Sequence, residues 1–146
     1  MSNPALRRGS CPVGVPSDFR DSRIRILSEE CRSIIEGIGR PQIEPSFIPS
    51  VIDRMIAVED SQSIGAMRAL SDVLGRLVGG STGTNVWVCA MLIREMARAG
   101  ETGSVVTLLC DEGSRYRDTY YDDQWLSEHA IEWRSPACTL RDFLSA

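Results

Sequence analysis

The sequence predicts an α/β fold, an open parallel sheet flanked by helices, and three observations carry that reading. Residues 104–110 (SVVTLLC) form a continuous apolar run of the kind buried on both faces of a parallel sheet. Two segments with apolar residues at helical spacing lie before it, each ended by a glycine. Between those segments, Arg76-Leu77-Val78 reads as a short buried strand that opens into a glycine-rich turn. The order is therefore helix, strand, loop, helix, strand, the alternation of a parallel α/β unit.

Taken along the chain, residues 1–33 read as a partly flexible N-terminal arm. Pro4, Pro12 and Pro16 alternate there with Gly9 and Gly14, and a weakly patterned helix is expected over residues 23–35. Residues 34–128 read as the α/β domain. It begins with a strand end running into the glycine turn Ile34-Ile35-Glu36-Gly37-Ile38-Gly39, followed by a loop punctuated by Pro41, Pro45 and Pro49. A short helix or turn from Val51 is expected to enter a strand over residues 55–58. Asp60 and Ser61 offer an N-cap, and Ile64, Met67, Leu70, Val73 and Leu74 mark a helix stopped by Gly75. Val86, Cys89, Ala90, Ile93 and Ala97 mark a second helix stopped at Gly100, with Val78-Gly79-Gly80-Ser81-Thr82-Gly83-Thr84-Asn85 as the loop before it. A short helix is predicted over residues 119–128, and residues 129–146 read as a tail.

The composition is that of a folded protein, with 42% hydrophobic and 25% charged residues. A net charge of −4 provides no electrostatic footprint for nucleic acid. No apolar run approaches the length of about 18 residues needed to span a bilayer, so a soluble, cytoplasmic protein without membrane partners is expected. Cysteines at 11, 31, 89, 110 and 138 form no CxxC pair, which argues against zinc and against a secreted disulfide framework. All 16 basic residues are arginine. Arginine keeps its proton and forms no Schiff base, so these residues contain no side-chain amine for covalent catalysis.

The glycine-rich loop is the main candidate for chemistry. Glycines permit close backbone approach, and N–H groups at the start of a helix point toward a negative or polarised group. Ser81 and Thr82 add hydroxyls. The same residues also suit an ordinary turn whose hydroxyls cap the helix. No lysine follows, so the loop is not a P-loop, and it lacks the GxGxxG spacing.

Three segments in one order carry a more specific reading: Ile35-Glu36-Gly37-Ile38-Gly39, then Gly79-Gly80-Ser81-Thr82-Gly83, then residues 105–116 (VVTLLCDEGSRY). Together they resemble the C-terminal half of cysteine synthases, cysteine desulfhydrases and their relatives, the fold-type-II pyridoxal-phosphate enzymes. Residues 118–126 (DTYYDDQWL) are similar to the actinobacterial branch. The resemblance covers about residues 34–126 and implies part of a fold-type-II pyridoxal-phosphate domain. It implies that Ser81 hydrogen-bonds the pyridine nitrogen of the cofactor, leaving that nitrogen largely unprotonated. Gly80 lies in the same cofactor loop, Gly37 in the turn on the substrate side, and Cys110 and Asp111 beside the pyridine edge. A proline and a serine are common at those last two positions.

The reaction class so implied is β-replacement or β-elimination on serine- or cysteine-type amino acids. Family members hold the cofactor through a lysine and a phosphate cradle in the N-terminal half, and neither is present in these 146 residues. A truncated or split protein is therefore expected, active with a lysine-bearing partner chain, and a homo-oligomer or such a partner is expected to cover its edges. Two other readings stand beside it: a non-catalytic interaction module or remnant, and a new small-molecule site on the glycine loop.

Overall fold

The computed structural model describes residues 33–38, 45, 48–54 and 56–145. Four α-helices organise them: α1 (Asp60–Leu74), α2 (Gly80–Ala99), α3 (Asp123–Glu128) and α4 (Arg134–Leu144), with single 3-10 turns at Pro49–Val51 and Ser114–Tyr116. Helix α1 packs along both α2 and α4 and forms the centre of the assembly.

Helix α1 starts on a capping box. Glu59 accepts at the N3 backbone while the Gln62 side chain accepts from the Glu59 N–H at 2.9 Å. Both long helices end where the sequence places their stops, on Gly75 (φ 65°) and Gly100 (φ 69°), left-handed positions that favour glycine. Helix α3 is capped by the Asp122 carboxylate, which accepts from the N–H groups of Gln124 and Trp125. It is shorter than the helix predicted over 119–128, because residues 117–121 form turns. Residues 129–146, read as a tail, contain α4, whose Ala137 and Leu140 are fully buried.

The open parallel sheet is not present: among the described residues there is no strand, and the single bridge, Val78 with Glu112, is antiparallel. A strand needs ladder partners for its N–H and C=O groups, and side chains meet that need here. Val78 donates its N–H to the Tyr121 hydroxyl at 3.0 Å and accepts from that hydroxyl at 2.8 Å. Residues 104–110 join no ladder, with Val106 89% and Leu108 73% exposed, so the doubly covered strand predicted there is not formed. Of the strand predicted over 55–58, Ile56, Ala57 and Val58 are irregular, and Met55 lies outside the described residues. Almost all of the N-terminal arm, the helix predicted over 23–35 up to residue 32, Gly39, and most of the loop containing Pro41 also lie outside them. Residues 33–35 are not helical.

The core has two parts. Ile35, Ile64, Met67, Val78, Tyr116, Tyr120 and Leu126 form one, and the smaller Ala66, Ala69, Ala90, Ala137 and Leu140 form the other. Small residues let the helices approach closely. A Cβ on Gly83 of α2 would stand 2.0 Å from the Ser63 carbonyl oxygen of α1. Gly83 is therefore required by the α1–α2 crossing rather than by a ligand. Arg68 links α1 to α3 and the turn before it, donating to the Tyr120 carbonyl at 2.9 Å and to Asp123 at 2.6 Å, with its guanidinium 4.0 Å from the Trp133 ring centre.

Candidate functional site at the start of helix α2

The segment predicted as a loop over 79–85 is mostly helix. Only Gly79 lies outside α2; it is the N-cap, with extended backbone and no side-chain cap. Gly80 is the first helical residue and is buried against Ile35 and Tyr120, where an added Cβ would come within 3.1 Å of both side chains. Ser81 follows, half-buried, and its hydroxyl donates to Asp111 Oδ1 at 3.4 Å. Thr82 is fully buried and does not cap α2; its hydroxyl oxygen accepts the Cys110 N–H at 2.9 Å.

That bond brings Cys110 and Asp111 to the start of α2, where Asp111 meets Ser81. The Cys110 thiol is exposed, within 3.5 Å of the Asn85 amide nitrogen. That amide also donates to the Leu108 carbonyl at 3.1 Å, fixing the approach of residues 104–110. Asp111 is held at three atoms. Its carbonyl accepts from Gly79 N–H at 3.0 Å, Oδ2 accepts the Tyr116 hydroxyl at 2.7 Å, and Oδ1 accepts from Ser81.

The turn over 34–38 joins the same region. Gly37 is exposed with φ 82°, and an added Cβ there would meet nothing within 4 Å, so this glycine answers to backbone conformation. Ser33 and Ile34 fasten the turn to Asp60 at the start of α1, with contacts of 2.6 and 3.0 Å. The Tyr120 hydroxyl donates to the Ile34 carbonyl at 2.6 Å and accepts the Glu36 N–H at 3.3 Å. Glu36 pairs with Arg115 at 2.6 Å.

Of the residues that hold this cluster, Thr82 is read from sequence as a hydroxyl of the glycine loop, whereas Tyr116, Tyr120 and Asn85 are given no cofactor role there. Tyr116 and Tyr120 stack at 4.7 Å between ring centres and are each 4% exposed. Burial first, and then the hydrogen bond to the Asp111 carboxylate, raises the Tyr116 hydroxyl well above the usual tyrosine range. The available signal was Tyr116 at the end of the third motif, with Tyr120 and Tyr121 following it. An open cavity of about 240 Å³ between α3 and α4, lined by Leu126, Ala130 and Trp133, includes none of Gly37, Gly80, Ser81, Cys110 and Asp111.

The side chains present fit one edge of a planar heteroaromatic ring. A neutral hydroxyl, a thiol and a carboxylate lie side by side, with Ser81 half-buried and the other two open to solvent. They do not fit the aldehyde end of pyridoxal phosphate, since no lysine is among them. No family model matches the chain, and no solved structure matches it. Over 140 residues, 96% of the chain, the sequence is 56% identical to L-cysteine desulfhydrase Cds1 of Mycobacterium tuberculosis. The chain is homologous to one part of an L-cysteine desulfhydrase. It spans about a third of the length of that relative (34%), which is consistent with the resemblance to a C-terminal half read from the three motifs.

Proposed function

We propose that these residues form the ring-nitrogen side of a pyridoxal-phosphate site for β-elimination from cysteine, completed by a lysine outside the 146 residues. That lysine belongs either to a further segment of the same polypeptide or to a partner chain. One observation carries the reading: segments far apart in sequence converge on the start of α2 in a chain 56% identical to a desulfhydrase. Ser81 and Asp111, which meet there, are 30 positions apart, and Glu36 and Tyr120 are 84 apart.

Ser81 would meet the ring nitrogen, Cys110 and Asp111 would border that edge, Gly80 would keep the backbone close, and the Gly37 turn would face the substrate side. When bound, pyridoxal phosphate supplies the electron sink for the elimination. The chain's own contribution is position. Thr82 holds the Cys110 backbone, Tyr116 holds Asp111, and Tyr120 holds the turn.

Hydrogen sulfide release from L-cysteine tests the proposal, with pyridoxal phosphate and the chain joined to a lysine-bearing desulfhydrase segment. Release is expected from the joined protein and not from the 146 residues alone. Ser81→Ala should lower kcat/KM by roughly 10-fold or more, the scale of one hydrogen bond to a reacting group. A Ser81→Ala protein as active as the parent would remove Ser81 from the site, and no release from the joined protein would favour the non-catalytic interaction module.

A further inference from the structure

Tyr120 lies between the start of α2 and the 34–38 turn. Its ring is 4% exposed, stacks on Tyr116 at 4.7 Å between centres with the planes 12° apart, and meets Trp125 edge-on at 5.9 Å. It also closes against α2, where a Cβ added to Gly80 would come within 3.1 Å of Tyr120 Cε2. A ring packed from three directions has little freedom, so its hydroxyl is held in one place. That hydroxyl donates its proton to the Ile34 carbonyl at 2.6 Å and accepts the Glu36 N–H at 3.3 Å. One atom thus holds the backbone on both sides of Ile35.

The turn is gripped unequally along its length. Its first residues, Ser33 and Ile34, are fastened to Asp60. Glu36, which precedes the left-handed Gly37, pairs its carboxylate with Arg115, but the two side chains are 57 and 60% exposed. An ion pair that open to water contributes little. The buried hydroxyl is the stronger hold on the part of the turn next to Gly37. From this we infer that Tyr120 is a positioning residue for cysteine, whose hydroxyl keeps the 34–38 turn in the geometry that receives the substrate. The inference rests on the proposed function, which puts that turn on the substrate side. A turn that takes up the receiving geometry only part of the time weakens binding in proportion and leaves the bound complex unchanged. Loss of the hydroxyl should therefore raise KM and spare kcat.

The experiment compares Tyr120→Phe with Tyr121→Phe in the joined, lysine-bearing protein loaded with pyridoxal phosphate. Phenylalanine at 120 keeps the ring and its stack. At 121 it removes a hydroxyl that holds Val78 instead of the turn. Tyr120→Phe should raise KM for L-cysteine roughly 10-fold, the scale of two hydrogen bonds lost from the turn, with kcat within about twofold of the parent. It should also speed hydrogen exchange at the Glu36 amide. Tyr121→Phe should lower the urea midpoint and leave KM and that amide at their parent values. Parent KM or parent exchange in a folded Tyr120→Phe overturns the inference, as does an equal rise in KM from Tyr121→Phe or from Arg115→Gln. A Glu36 amide unprotected in the parent overturns it without any variant, so the test holds even if Tyr120→Phe fails to fold. No hydrogen sulfide from the joined parent would overturn the proposed function, and this inference with it.

Discussion

Individual atoms decide the tightest points of this molecule. Gly83 is one: a methyl group there would sit 2.0 Å from a backbone oxygen of α1 and 2.8 Å from Met67. Neither neighbour is the free end of a flexible chain, so α1 and α2 would have to separate. Gly83→Ala is expected to destabilise the fold by about 3 kcal/mol or more, the upper range of overpacking costs, read as a lower urea midpoint. The tyrosines set a second prediction. Burial raises the hydroxyls of Tyr116, Tyr120 and Tyr121 above the ordinary range. In the unfolded chain they ionise near pH 10, while the folded chain keeps its protons. The unfolded state then binds fewer protons, so stability is complete below pH 10 and falls as pH rises through the folded values. No lysine titrates in that window. Urea midpoints measured from pH 9 to higher pH should decline; a flat profile would mean that the three hydroxyls are not buried.

At the scale of elements, the contact between α1 and α4 should carry much of the stability. Leu140 is 1% exposed and packs with Ala66, Ala69 and Ala137. Leu140→Ala should cost about 2–5 kcal/mol, measured by chemical denaturation. The long helices were legible in the sequence because their signals are local: apolar residues every three or four positions, and Gly75 and Gly100 at the stops. Strands are not local. The run at 104–110 has the composition of a buried strand, but its pairing depends on partners elsewhere, and the described structure leaves it against Asn85 and Thr82 without a ladder. Val78 illustrates the same limit, since a tyrosine hydroxyl takes the place of a ladder. The site was partly legible. The three motifs name Ser81, Cys110 and Asp111 as candidates, whereas the contacts of Tyr116 with Asp111 and of Thr82 with Cys110 depend on tertiary packing that no spacing rule reveals.

The whole molecule shows an imbalance between its two sides. Helices α1, α2 and α4 bury a shared core yet leave Val73 exposed, and the most exposed apolar run among the described residues, Val106, Leu108 and Leu109 at 89, 73 and 50%, lies beside the candidate site. Apolar runs of this kind mark surfaces that associate. The 146-residue chain is therefore expected to self-associate when isolated, with a concentration-dependent mass in sedimentation equilibrium; Val106→Asp with Leu108→Asp should shift it toward monomer. A monomeric parent across micromolar concentrations would contradict this. Among the described residues no helix is long and apolar enough to cross a membrane. The central claim concerns the same exposed side: the start of α2, with Asp111 and Cys110 beside it, is one edge of a cofactor site whose covalent anchor lies outside these residues. A crystal structure of the lysine-bearing protein loaded with pyridoxal phosphate tests it most directly. The account predicts the ring nitrogen within hydrogen-bonding distance of Ser81 Oγ; a cofactor ring bound away from the start of α2 would contradict it.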